Sequence, residues 1–173
     1  MERQRHGFEY QEMMCKKRNL ISDENYTGMW DAYKLNGYPC VMKTFKEKSE
    51  LPLSDIFTNT KRDKDFYLIY GVWKGKKSNI IENKEILIDI DKWKELFDWN
   101  HYDELNNWIK NLVSNSYDYD MIWKSEVKQW KERWGYDRLI QPRFKRDHKT
   151  QRRIQSAVAY KNLKMFLEYV EKK

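Results

Sequence analysis

The spacing of apolar and polar positions changes several times along the chain, and each change marks an element. From Gln4 to Asn19, Tyr10, Met13, Met14 and Lys17 fall at helical spacings, and Phe8 and Cys15 lie two turns apart. This predicts an opening helix, with Glu9 and Glu12 neighbours on one side of it. Glu12 also stands four residues before Lys16, an ordinary helix pair. Two strands follow, Tyr26 to Lys34 and Tyr38 to Lys46. Asn36-Gly37 is the turn signal between them, and Pro39 opens the second strand, where a missing donor is tolerated. Alternation places Val41 and Lys43 on one face and Cys40 and Met42 on the other. Lys46 to Ser54 reads as a charged loop, Leu53 to Phe57 as a short helical turn, and Thr58 to Asp65 as a polar, basic connector.

Phe66 to Trp73 is the most apolar run, and its length and aromatic content favour a central strand. A further strand lies within Ile80 to Ile90. Asp89 or Asp91 reads as the N-cap of a helix over Lys92 to Trp99, and further helices cover Asp103 to Val113 and Tyr119 to Trp134, the last ended by Gly135. Their tryptophans suit a core or a subunit contact better than a platform for stacked bases. Arg138 to Arg146 predicts a strand, with Pro142 marking an edge or bulge. Ile154, Ser156, Val158 and Tyr160 alternate with Arg153, Gln155, Ala157 and Ala159, which is strand spacing. The basic run between these two elements reads as a loop. Lys161 to Lys173 closes the chain as an amphipathic helix with Leu163, Phe166, Leu167 and Val170 inward. The order predicts one α/β domain, a central mixed β-sheet flanked by α-helices, with a helical block around residues 91–135.

Composition narrows the partners. The chain has 173 residues, enough for one domain with a core of its own. Its mean hydropathy of −1.03 reflects charge, because 40% of residues are still hydrophobic and 16% aromatic. A net charge of +7 and a pI near 9.2 favour an anionic partner such as nucleic acid. Cys15 and Cys40 form neither a zinc motif nor a disulfide framework and are expected to pack as small apolar residues. No apolar run approaches 18 residues and no signal peptide is evident, so the expectation is a soluble, cytoplasmic protein without a membrane partner.

The chemistry concentrates on the first strand pair. Asp31 sits among Trp30, Ala32 and Tyr33, where a carboxylate is costly unless it is paired or binds a cation. Lys43, beside Met42, stands on the neighbouring strand. Its plain alternative is a lysine that snorkels from a sheet edge. A metal-binding carboxylate opposite a lysine suits phosphodiester cleavage: the metal neutralises phosphate and acidifies water, and the ammonium orients that water or stabilises developing charge.

Gly7-Phe8-Glu9 on the opening helix, then Asp31, then Val41-Met42-Lys43 resembles the PD-(D/E)XK, or restriction-endonuclease-like, nuclease superfamily. The resemblance covers roughly residues 5 to 90. It implies a restriction-endonuclease-like fold, catalytic roles for Asp31, Lys43 and Glu9, and a Mg2+ cofactor that Mn2+ can replace. Asp31 and Glu9 would hold the metal, with Glu12 as the fallback for Glu9. Val41 stands where the family has an acidic residue, so a backbone carbonyl, that of Val41 or Met42, would complete the shell.

Arg143, Lys145, Arg146, Lys149, Arg152 and Arg153 make six basic residues against the acid Asp147. Gln151 lies among them and Gln155 follows. Arg and Gln suit guanine and adenine edges and Lys suits phosphates, so this set is the candidate DNA-binding segment; a solvated loop is its alternative. The Thr58–Asp65 connector lies along a DNA backbone or is solvated. The functional expectation is a metal-dependent endonuclease for double-stranded DNA, sequence-specific and homodimeric like a small type II restriction enzyme. The alternatives are a structure-selective, junction-resolvase-like nuclease and a non-catalytic DNA-binding protein with a degenerate site.

Overall fold

A computed structural model describes the backbone of residues 2–23, 28–114, 119–148 and 151–173, and the side chains of 5–23, 28–112, 123–145 and 153–173. The element order is α1 (Glu2–Arg18), β1 (Ile21–Ser22), β2 (Ala32–Tyr33), β3 (Pro39–Lys46), β4 (Leu51–Asp55), α2 (Ile56–Thr60), β5 (Phe66–Trp73), β6 (Ile80–Ile88), α3 (Ile90–Phe97), α4 (Tyr102–Ser114), α5 (Tyr119–Trp134), β7 (Ile140–His148), β8 (Gln151–Val158) and α6 (Leu163–Val170). A 3-10 turn, Tyr160–Asn162, leads into α6.

The central sheet is mixed and five-stranded, in the order β1-β2-β3-β5-β6. β3 and β5 run parallel from Cys40↔Tyr67 to Lys46↔Trp73, and the other neighbours are antiparallel. A parallel pair needs a crossover. Here it consists of β4 and α2, whose first turn is capped by the Asp55 carboxylate accepting from the Phe57 and Thr58 amides at 2.9 and 3.1 Å. The α/β class and central mixed sheet are therefore as expected.

Two local readings are corrected. The end of the expected charged loop and the start of the expected helical turn, Leu51–Asp55, form strand β4, which pairs with β8 in a second sheet of order β4-β8-β7. The basic run is not a loop: β7 continues to His148 and β8 resumes at Gln151, so most of the charge lies on a paired hairpin. Strand pairing supplies hydrogen bonds that polar side-chain patterning does not reveal. Pro142 sits on β7, an edge strand of this sheet, where a proline is tolerated. Asp89 is the N-cap of α3, accepting from the Asp91 and Lys92 amides, and Gly135 follows α5 at φ +102°, the left-handed stop that glycine permits.

Strand alternation divides the core. Cys40, Met42 and Ile69 face α1 and pack with Tyr10, Met14 and Ala32. Val41, Phe45, Phe66, Leu68 and Tyr70 face the second sheet and the later helices, joining Leu53, Trp93, Trp130, Trp134, Ile154 and Phe166 in the larger cluster. α1 lies close to its sheet: a Cβ at Gly71 would come within 2.7 Å of the Tyr10 ring. Tyr10 in turn donates from its hydroxyl to the Asn83 Oδ1 at 2.9 Å.

Candidate functional site

The site begins with a short strand. β2 pairs only Ala32 and Tyr33 with Cys40 and Pro39. At Asp31 the ladder changes character. Its amide donates to the Cys40 carbonyl at 2.9 Å, and its carboxylate Oδ2 accepts from the Met42 amide at 2.7 Å. A side chain thus takes the place of the next strand residue. Beyond it, among the described residues, the β3 edge from Met42 to Lys46 has no strand partner on this side. A cleft of about 570 Å³ opens at this edge. His6, Gly7 and Gln11 of α1 form one wall, Pro52, Ser54 and Gln155 of the second sheet form another, and Lys43, Lys46, Trp73 and Lys77 complete it. Among the described residues no carboxylate lines this cleft, while Lys43, Lys46 and Lys77 do, so their field favours an anion.

Asp31 and Lys43 are brought together electrostatically. Burial holds the Lys43 ammonium below the usual lysine range; the Asp31 charge opposes that shift and Arg62 adds to it. Asp31 is half-buried beside Met42 rather than in the cleft wall. Its charge also reaches α1, where it adds to the burial that raises the Cys15 thiol. Burial pushes the Cys40 thiol up to about 11, so neither cysteine is poised as a thiolate.

The helix carboxylates are placed elsewhere. Glu9 accepts from Arg5 Nε at 3.0 Å and lies 3.4 Å from His6 Nδ1. It borders an adjoining depression with Tyr10, Met13 and Ile80, which shares His6, Thr44, Trp73 and Lys77 with the cleft. Glu12 is exposed. Gln11, one helical turn after Gly7, lines the same cleft as Lys43 from the α1 side. The helical pattern identified the buried face of α1 but not which of its flanks would meet the β3 edge.

Backbone direction separates the two candidate carbonyls. Cys40 and Met42 turn their main-chain groups toward Asp31, so Val41 turns its own toward β5, where it is paired in register with Leu68. The Met42 carbonyl, not that of Val41, faces the Asp31 side. The Val41 side chain is buried in the large core cluster. Among the described residues no group of three His, Cys, Asp or Glu side chains is close enough to form a metal cage. One carboxylate and one main-chain carbonyl do fit Mg2+, which keeps several waters and is usually held by one or two carboxylates plus substrate phosphates.

The Thr58–Asp65 connector, expected along a DNA backbone or in solvent, instead buries Asn59 and, most consequentially, Arg62. Arg62 is 3% exposed. Its Nε donates to Asn59 Oδ1 at 3.0 Å and its NH1 to the Met29 carbonyl at 2.5 Å. The guanidinium lies 4.7 Å from the Trp30 ring centre and 5.1 Å from that of Phe66. Burial pulls its pKa down to about 10, with Asp31 opposing, so it stays cationic at neutral pH.

In the basic hairpin, Gln155 reaches the cleft. Arg143, paired across the strands with Gln155, is engaged by Glu50 at 2.6 Å. Lys145 is half-buried and Arg153 is exposed. The side chains of Arg146, Gln151 and Arg152, and all of Lys149, lie outside the described residues. The tryptophans of the helical block mostly face the core: Trp93, Trp123, Trp130 and Trp134 are buried.

No family model, no curated protein and no solved structure matches the chain. No helix among the described residues is long and apolar enough to cross a membrane.

Proposed function

We propose that this chain is a Mg2+-dependent endonuclease acting on double-stranded DNA, a member of the PD-(D/E)XK superfamily. The observation that carries the reading is the pairing of Asp31 with the Met42 amide, next to Lys43, at the head of a cleft lined, among the described residues, by lysines and no carboxylate. Lys43, Lys46 and Lys77 attract and hold a phosphodiester there. Asp31 and the Met42 carbonyl are the groups that would hold Mg2+, and the bound ion would acidify a water and offset phosphate charge. Lys43 orients the nucleophile or stabilises the charge that develops at phosphorus. Gln11 is positioned to orient a group in the cleft from the α1 side. Gln155 brings the basic hairpin to the same cleft, which links backbone contact to cleavage. Cutting both strands with one site per chain favours a two-fold dimer.

The test is nicking of supercoiled DNA by the purified chain with Mg2+. Asp31→Ala and Lys43→Ala are each expected to lower the rate at least about 100-fold while the variants still melt cooperatively. Undiminished cleavage by either variant would overturn the assignment. Equal treatment of linear duplex and four-way junctions separates a sequence reader from a junction-selective enzyme.

A second reading is a non-catalytic DNA-binding protein. It is favoured by the apolar burial of Val41 and by the outward turn of Glu9. It predicts duplex binding that weakens steeply with salt and no nicking under any divalent ion.

A further inference from the structure

Asn59, Arg62 and Ser156 are the buried polar or charged residues among those described, and they are joined to one another. Ser156 Oγ, on hairpin strand β8, donates to the Ser54 carbonyl at 3.0 Å. Asn59 Nδ2 lies 2.8 Å from Ser156 Oγ and donates to the Leu53 carbonyl at 2.7 Å. Asn59 Oδ1 accepts from Arg62 Nε, and Arg62 donates onward to the carbonyl of Met29, two residues before Asp31. Ser54 departs from ordinary strand geometry at φ +74°, where β4 shifts register against β8. Left-handed, non-glycine residues at strand irregularities cost energy and tend to re-aim side chains near functional sites. Ser54 lines the cleft together with Lys43 and Gln155.

A buried arginine that served packing alone would be a poor solution. Its charge must be desolvated, and apolar replacements of similar volume are often as stable. The Arg62 bonds run instead to neutral acceptors, and the Asp31 carboxylate acts on it through space. The main chain of Asp31 is tied to Asp23 and Cys40 at 3.1 and 2.9 Å, whereas Met29 and Trp30, just before it, belong to no strand. Arg62 pins the backbone at Met29 and stacks on Trp30, the two residues just before Asp31.

We infer that Arg62 is a positioning residue for Asp31: anchored through Asn59 and Ser156 to strand β8, it holds the Met29–Asp31 segment so that the carboxylate stays against the Met42 amide. This rests on the nuclease reading for its catalytic consequence, but its structural consequence is independent. The hairpin that reaches the cleft and the strand that carries the carboxylate are then parts of one hydrogen-bonded frame.

The experiment compares Arg62→Met and Arg62→Lys with the wild-type full chain by three measurements. These are duplex affinity without divalent ions, single-turnover cleavage with Mg2+ at saturating protein, and hydrogen exchange at the Met42 amide. Arg62→Met is expected to bind duplex as the wild type does, to cleave about 100-fold more slowly, as a carboxylate displaced by about an ångström would, and to lose protection at Met42. Arg62→Lys, which keeps the charge but not the forked donors, is expected to recover part of both losses. Unchanged Met42 protection overturns the proposal, as does a loss confined to duplex affinity. If Arg62→Met does not fold, Arg62→Lys decides by the same readouts. If the wild type itself does not cleave, the nuclease reading fails, while Met42 exchange still decides the role of Arg62.

Discussion

The two sides of this fold solve opposite problems. Around Trp93 the molecule is aromatic: its indole meets Phe66, Phe97 and Phe166 with ring centres 5.0–6.3 Å apart, and Trp99 and Trp134 extend the cluster toward α4 and α5. Around Arg62 the interior is polar and charged, with Asn59 and Ser156 buried and Asp31 and Lys43 close by. The first region gains stability from apolar area removed from water. The second accepts the cost of desolvating charges and keeps them in place with directed hydrogen bonds. The two regions touch where Trp93 Nε1 donates to the Asn59 carbonyl at 3.2 Å. The contrast teaches that the aromatic region supplies the stability that the buried charges consume, the division expected of a nuclease under the proposed reading.

The comparison can be broken most forcefully on the aromatic side. Trp93→Ala is expected to destabilise the fold by about 3–5 kcal/mol, measured by urea denaturation. A loss below about 1 kcal/mol would mean that the aromatic cluster is not the principal support. Next in size is Ser156→Ala on the polar side. It removes the hydroxyl between Asn59 and the Ser54 carbonyl, and it is expected to cost about 1–3 kcal/mol by leaving buried partners unsatisfied. A neutral result would show that the polar frame is not structurally tense.

The smallest effect is expected at Lys43 and has the opposite sign. A lysine whose proton affinity is lowered by folding binds fewer protons folded than unfolded, in the pH window between the two values. Stability therefore rises with pH across that window, and below it the cost of the buried ammonium is present in full. Lys43→Met is expected to leave stability at neutral pH unchanged or raised by up to about 1 kcal/mol, and to flatten that alkaline slope. Stability that falls sharply on this substitution would make Lys43 part of the support rather than part of the site.

Much of the frame was legible beforehand because it is local. The helical spacing of Tyr10 and Met14, the Asn36-Gly37 turn, the Asp89 cap and the Gly135 stop act within a few residues, and each lies where its pattern implied. Asp31 and Lys43 were legible as a pair for the same reason: a short turn joins their strands, so few arrangements separate them. β4 was hidden because Lys46 to Ser54 is rich in charge, and its partner, β8, lies about a hundred residues further along.

By itself the sequence determined the periods, the turns, the positive charge and the nearness of one carboxylate to one lysine, since all of these follow from neighbours along the chain. The tertiary structure alone decided that Gln11 rather than Glu9 lines the cleft with Lys43, that Gln155 joins it, and that Arg62 is sealed beneath Trp30 and Phe66. The physical reason is that burial belongs to surfaces brought together from distant segments. A polar stretch such as Thr58–Asp65 carries no internal mark of the aromatic faces that will close over it.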